Sequence, residues 1–256
     1  MNRSLKLVLD VLLGAVVPIL VLAYLSEPLG AVPAYLISAL VPVGWVAADL
    51  LFITRRLNFI TTFLGLSALV RGLLAFWFVD GFLFALKDSA GSAVTVAVFG
   101  GSLLLGRPAL RAFAQQSLDP RTPRQGAALA KLFAERPVAR VLFLGTASLA
   151  AVHAVAGIAN FLLNFSIVVA PFGTAEFNTQ VATVNAVTRV ALGVPEVVAT
   201  GLAIWLVFKA IYSRLPDVPG ETDVWKLIQL REERGAPDDS QASDTPPSVT
   251  HQPGKG

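Results

Sequence analysis

Six apolar runs, each close to twenty residues or longer, constrain this chain more than any other feature. A helix rises about 1.5 Å per residue, so roughly 20 apolar residues match the ~30 Å hydrocarbon core of a bilayer. The runs cover residues 5–25, 31–53, 57–79, 89–106, 138–170 and 187–211. The fifth is longer than one crossing needs, which predicts tilt or a helical extension beyond the membrane. Hydrophobic residues make up 55% of the 256 and charged residues only 14%. An ordinary soluble domain carries about a quarter charged residues. The expected fold is therefore all-α: a six-helix transmembrane bundle with a cytoplasmic amphipathic loop and a disordered C-terminal tail.

The divisions follow the runs. Residues 1–106 form a four-span membrane unit, 107–137 a basic loop, 138–214 two further spans, and 215–256 a mostly disordered cytoplasmic tail. Within the loop, Leu129, Leu132 and Phe133 repeat at helical spacing beside Lys131 and Arg136. That pattern suits a helix lying on the membrane surface or one packed on its own protein. The tail is rich in Pro, Asp, Ser and Thr and cannot bury a core, apart from a short helix expected near 222–234. Kinks are expected at Pro18 and Pro195.

Orientation comes from charge. Of 20 Lys and Arg residues, all but Arg71, Lys87 and Arg189 fall in segments on one side of the predicted bundle. Basic flanks stay in the cytoplasm, so both termini are placed there. The opposite connections carry Glu27, Asp80, Asp88 and Glu176. Tyr24, Tyr35 and Trp77 fall at the predicted outer boundary, as an aromatic belt does. The first run exceeds a signal-peptide core and contains Asp10, so a retained first span is expected. Mapped this way, the net charge of +3 is no signal for nucleic acid.

Ionisable groups at membrane depth are costly and call for partners or water. By residue count Arg71 lies about 21 Å from the inner boundary and Glu196 about 14 Å from the outer one, so their depths match. An Arg71–Glu196 pair is expected, with His153 at a comparable level. Read structurally, the pair fixes how two spans meet; read functionally, it is a substrate or proton site. Asp10 and Asp49 gather near Arg55 and Arg56 at the inner boundary, where solvated pairing explains them. Asp88 or Ser89 is expected to cap the fourth span, and Lys87 to meet Asp80 or lipid headgroups. Arg189, near the outer surface, reaches water. Asn160 and Asn164, one turn apart, suit hydrogen bonding between helices. Small residues at Ala93, Ala97 and Gly101, and at Ala68 and Gly72, offer faces for close helix packing.

Chemistry-bearing motifs are missing. There is no His-Glu-x-x-His, no phosphate-cradling glycine loop with lysine and no Gly-x-Ser-x-Gly. The absence of cysteine excludes disulfides, thiolate metal ligands and cysteine nucleophiles. The only histidines, His153 and His251, lie far apart. No enzyme activity, catalytic residue, metal site or cofactor is therefore expected.

A resemblance is carried by Asp10 in the first span, Arg55-Arg56 after the second, and Lys87-Asp88-Ser89. The closing stretch from Phe99-Gly100-Gly101-Ser102 to Gly106-Arg107-Pro108 also carries it. Residues 5–111 resemble a group of bacterial inner-membrane proteins related to intracellular septation protein A. The resemblance implies a bacterial inner-membrane location and a non-enzymatic role in the cell envelope. It marks Lys87, Asp88, Ser89, Ser102, Arg107 and Pro108 as the shared motif, and the last two spans have no counterpart in that protein. The expected function is structural or interactive, with the lipid bilayer and other membrane proteins or a second copy as partners. The alternative is a secondary transporter or channel for a small solute or ion, with a path near Arg71, His153 and Glu196.

Overall fold

A computed structural model describes residues 9–10, 12–54 and 59–235. A π-helical stretch, Leu12–Val16, leads without a break into α1 (Val17–Tyr24), with Pro18 in its first turn. A single helical turn, Ser26–Leu29, and Gly30 at φ +86° reverse the chain. α2 (Ala31–Ala48) runs on as a π-helical segment, Asp49–Thr54. α3 (Phe59–Ala75) follows, then α4 (Gly81–Asp88) and α5 (Ala90–Leu104). Two short helices, α6 (Ala109–Leu118) and α7 (Pro123–Ala134), precede the long α8 (Arg136–Ile167). α9 (Ala175–Ala191) and α10 (Gly193–Tyr212) complete the first compact unit. The second unit, from Tyr212 onward, contains α11 (Val224–Gly235).

Every regular element among the described residues is helical. Three helices are long and apolar enough to cross a membrane: Ala31–Phe52, Arg136–Ile167 and Ala175–Tyr212. A fourth crossing exists if α4 and α5, bent by 43° at their junction, count as one span. A shorter apolar helix covers Gly65–Ala75. These are the lengths and compositions of a membrane protein. Parts of the first and third apolar runs, and the tail from 236, lie outside the described residues.

Three local differences from the sequence-based expectations, and one choice left open there, have physical causes. The segment after Asp80, expected as a connection, is the helix α4; Gly81 at φ +53° turns the chain into it. The polar stretch from Asn178 to Asn185, between the fifth and sixth apolar runs and expected as a loop or the start of a helix, is the middle of α9, whose N-terminus is capped by Thr174 accepting from the Phe177 amide. The discontinuity expected at Pro195 falls at Leu192, because a proline ring obstructs the carbonyl four residues earlier, here that of Ala191, where α9 stops. In α7, Leu129, Leu132 and Phe133 are buried within the protein, with Arg111 over the Phe133 ring. Of the two settings open to that amphipathic helix, packing on its own chain is the one found. A Thr122–Gln125 capping box starts it.

α8 is the post of the first unit, packing most extensively on α5 and α4 and also touching α6, α7 and α9. α1 packs against α2 and α9, and α2 against α3. The last contact is close because Gly72 lacks a side chain: a Cβ there would stand 3.2 Å from Val43 Cγ1. At the end where α8 gives way to α9, Leu22, Tyr35, Phe84, Val168 and Phe177 form an aromatic-rich core with Phe172 against it. In the second unit, Asp223 opens α11 by accepting from the Trp225 amide, and Val224, Leu227 and Ile228 are buried.

Candidate functional site

The interruption between α4 and α5 falls on Asp88 and Ser89. In hydrocarbon a broken helix exposes backbone polar groups and needs side chains around it to be tolerated. α8 supplies them. Asn164 and Asn160 donate from Nδ2 to Asp88 Oδ2 at 2.9 and 3.1 Å, and Asn160 Nδ2 also lies 3.1 Å from Ser89 Oγ. Asn164 is 1% exposed. Neither Asp88 nor Ser89 is found capping α5 through its side chain; both are turned to α8 instead.

Three cations surround this junction. Lys87, 7% exposed, donates to the Trp77 carbonyl. Its Nζ sits 5.0 Å from the Tyr35 ring centroid and 5.5 Å from that of Phe84. Two aromatic faces and a carbonyl replace water around the ammonium. Asp80, expected as its partner, accepts instead from the Phe172 amide at 3.2 Å. Arg71 of α3 lays its guanidinium on the backbone of Gly91, one turn beyond Asp88; a Cβ at Gly91 would stand 2.6 Å from Arg71 Nε. Arg189, in the last turn of α9, is within electrostatic reach of both Arg71 and Asp88. Both arginines are exposed on the flank of the bundle. Among the described residues neither makes a hydrogen bond or an ion pair.

Glu196 is brought to His153 and not to Arg71. His153 Nδ1 lies 3.1 Å from Glu196 Oε1, with 21% and 26% of the two side chains exposed. The pair is seven residues along α8 from Asn160, about 10 Å further down the helix. α9 starts at Ala175, earlier than the predicted sixth span. Glu196 therefore lies further along its helical unit than the sequence count placed it, beside His153, while Arg71 lies beside Gly91.

The remaining candidates separate. Asp10 Oδ1 accepts from Trp45 Nε1 at 2.7 Å, tying the start of the chain to α2. Asp49 opens the π-helical segment; Arg55 and Arg56 lie outside the described residues, so that cluster is seen only in part. Ser102, Arg107 and Pro108 build the corner between α5 and α6. Ser102 Oγ donates to the Phe99 carbonyl at 2.6 Å and accepts from the Ala109 amide at 3.0 Å. Arg107 N–H donates to the Ser102 carbonyl, Gly106 takes φ +66°, and Pro108 precedes the first residue of α6. Thr146 of α8 accepts a further α6 amide, from Leu110, at 3.3 Å. The small residues at Ala93 and Ala97 face outward, whereas the close approach of α5 to α8 occurs at Gly157, against Ser92.

Sequence reasoning missed Asn178. It is fully buried and donates to Ser26 Oγ at 2.8 Å and to the Ala31 carbonyl at 2.7 Å, locking α9 to the turn between α1 and α2. Its position in a stretch read as a loop or a helix start hid it; a polar residue followed at helical spacing by Val181 and Val184 was the available signal.

Among the described residues no group of three His, Asp or Glu side chains is arranged to hold a metal ion. Two shallow cavities of about 370 Å³ are found, one between α6, α7 and α8 beside Arg111 and Phe133, the other within the second unit around Tyr212 and Pro216. Neither touches Asp88 or His153. Comparison with protein-family models, curated proteins and solved structures gives no match.

Proposed function

We propose that this is a six-pass protein of the bacterial inner membrane, with both termini cytoplasmic and a structural or interaction role in the cell envelope. One observation carries the reading: polar side chains at depth are committed to holding helices together. Asp88 is held by Asn160 and Asn164, His153 by Glu196, and Ser26 by Asn178. Such bonds strengthen helix association where the hydrophobic effect no longer drives it. The motif shared with septation-type proteins fits the same account, since Ser102, Arg107 and Pro108 make a corner and no reactive centre.

A second reading, transport of a small solute or ion, is favoured by the interruptions at Asp88–Ser89 and Leu192, because broken helices line many transport sites. The lack of cysteine allows one experiment to separate the two. Ala156→Cys, one turn from His153, stays unlabelled by water-soluble maleimide in intact membranes if the interior is dry and structural. Labelling from either side would replace the structural reading with a hydrated path. A reporter after Arg124 tests the orientation: it should be cytoplasmic, and an external signal would overturn the six-pass arrangement.

A further inference from the structure

We propose that Arg71 and Arg189 form a binding site for an oxyanion of the phosphate class at the broken span. The proposal goes beyond the structural role and stands on charge and placement. Of all the Lys and Arg residues, only Arg71, Lys87 and Arg189 lie away from the basic side of the predicted bundle. The folded chain gathers these three around the junction of α4 and α5. Facing them is one carboxylate, Asp88, whose Oδ2 already accepts two asparagine amides.

The three cations are not equivalent. Lys87 is buried between two rings and a carbonyl and is closed to a ligand. Arg71 and Arg189 are open on the flank, without a hydrogen bond or ion pair among the described residues. Two like charges in a low-dielectric setting repel, and each alone is expensive to hold there. An oxyanion between them removes both penalties. Phosphate is the matching class, because the planar guanidinium fork offers paired N–H donors to paired phosphate oxygens.

Gly91 shows that the position of Arg71 is built into the fold. The guanidinium lies where any side chain at 91 would stand, on the first turn of α5. Both arginines are exposed, so a phospholipid headgroup or a free phosphate ion can reach them; the chemistry is the same, and the two arms of the test separate the sources.

The test uses the full chain in phosphatidylcholine nanodiscs. One arm replaces part of the lipid with phosphatidylglycerol; the other titrates inorganic phosphate against chloride at equal ionic strength. A bound anion raises the melting temperature by mass action, so a rise of several degrees is expected in one arm for the native chain, and none for the Arg71→Gln/Arg189→Gln double variant. A rise with phosphatidylglycerol alone assigns the site to a headgroup, and a rise with inorganic phosphate assigns it to a soluble anion. Lys209→Gln, which removes a cation stacked on Trp205 of α10, should keep the full rise. No rise in either arm, an equal rise in the double variant, or loss of the rise in Lys209→Gln overturns the proposal. Should the double variant not fold, Gly91→Ala takes its place. It keeps every charge and displaces only the Arg71 guanidinium, so a smaller rise supports the site and an unchanged one overturns it.

Discussion

Asn164 joins two helices through one side chain: its Nδ2 reaches Asp88 Oδ2 at 2.9 Å and also the carbonyl of Asn160 at 3.0 Å. Asn164→Ala leaves the half-buried Asp88 carboxylate with Asn160 alone. A loss of about 1–2 kcal/mol is expected, the upper range for a hydrogen bond between membrane helices, and thermal unfolding in detergent measures it. Glu196→Ala takes away the carboxylate facing His153 Nδ1. Combined with His153→Ala in a double-mutant cycle, it should reveal a coupling of about 0.6–1.7 kcal/mol. A coupling near zero would show that the two side chains do not hold α8 to α10. At this scale the sequence revealed which residues matter better than which ones meet. Arg71, His153 and Glu196 stand out because charge is rare in apolar runs. Their partnering depended on where α9 begins, and the Thr174 cap that sets this point lies in a stretch read as a connection.

Helices α5 and α8 meet most closely where Gly157 faces Ser92, a Cβ at 157 standing 2.8 Å from Ser92 Cβ. Both are near backbone and cannot swing aside. Gly157→Ala should therefore destabilise the bundle by about 1–3 kcal/mol, and adding Ser92→Gly should recover part of the loss. In the second unit the start of α11 is clipped by charge. The Glu221 carboxyl is held below the usual carboxylate range by the Asp223 amide first and the Lys226 ammonium second, and the same contact raises Lys226. A depressed carboxyl stabilises above its unfolded pKa and stops doing so as pH falls through its folded value. A raised ammonium stabilises below its unfolded pKa and stops as pH rises through its folded value. The clip should thus hold between about pH 4 and pH 10, with lower protection of the Asp223 and Trp225 amides, relative to the intrinsic exchange rate at each pH, in more acidic solution. The existence of these elements was legible in apolar length, and the corner at Gly106-Arg107-Pro108 in its turn chemistry. Which small residues pack within the chain was not: Gly72 meets Val43 of α2, whereas Ala93 and Ala97 keep the right spacing but point outward, because spacing alone does not say which face of a helix its own chain covers.

For the whole molecule, the helical class and the membrane-scale runs were plain from composition, since only helices of this length bury their own backbone polar groups in lipid. The number of crossings is a different kind of question. α9 and α10 together make one apolar unit of 38 residues, and α4 with α5 makes one only across a 43° bend. Hydropathy counts segments, whereas crossings depend on how those segments tilt and break. The post of the bundle adds a consequence of its own. α8 has 32 residues, about 48 Å of rod, while α3 has 17, about 26 Å. A rod longer than the ~30 Å hydrocarbon core fits a bilayer by leaning or by carrying one end out among the headgroups. The lean of that one rod then sets the lean of every helix packed along it, α4 and α5 first.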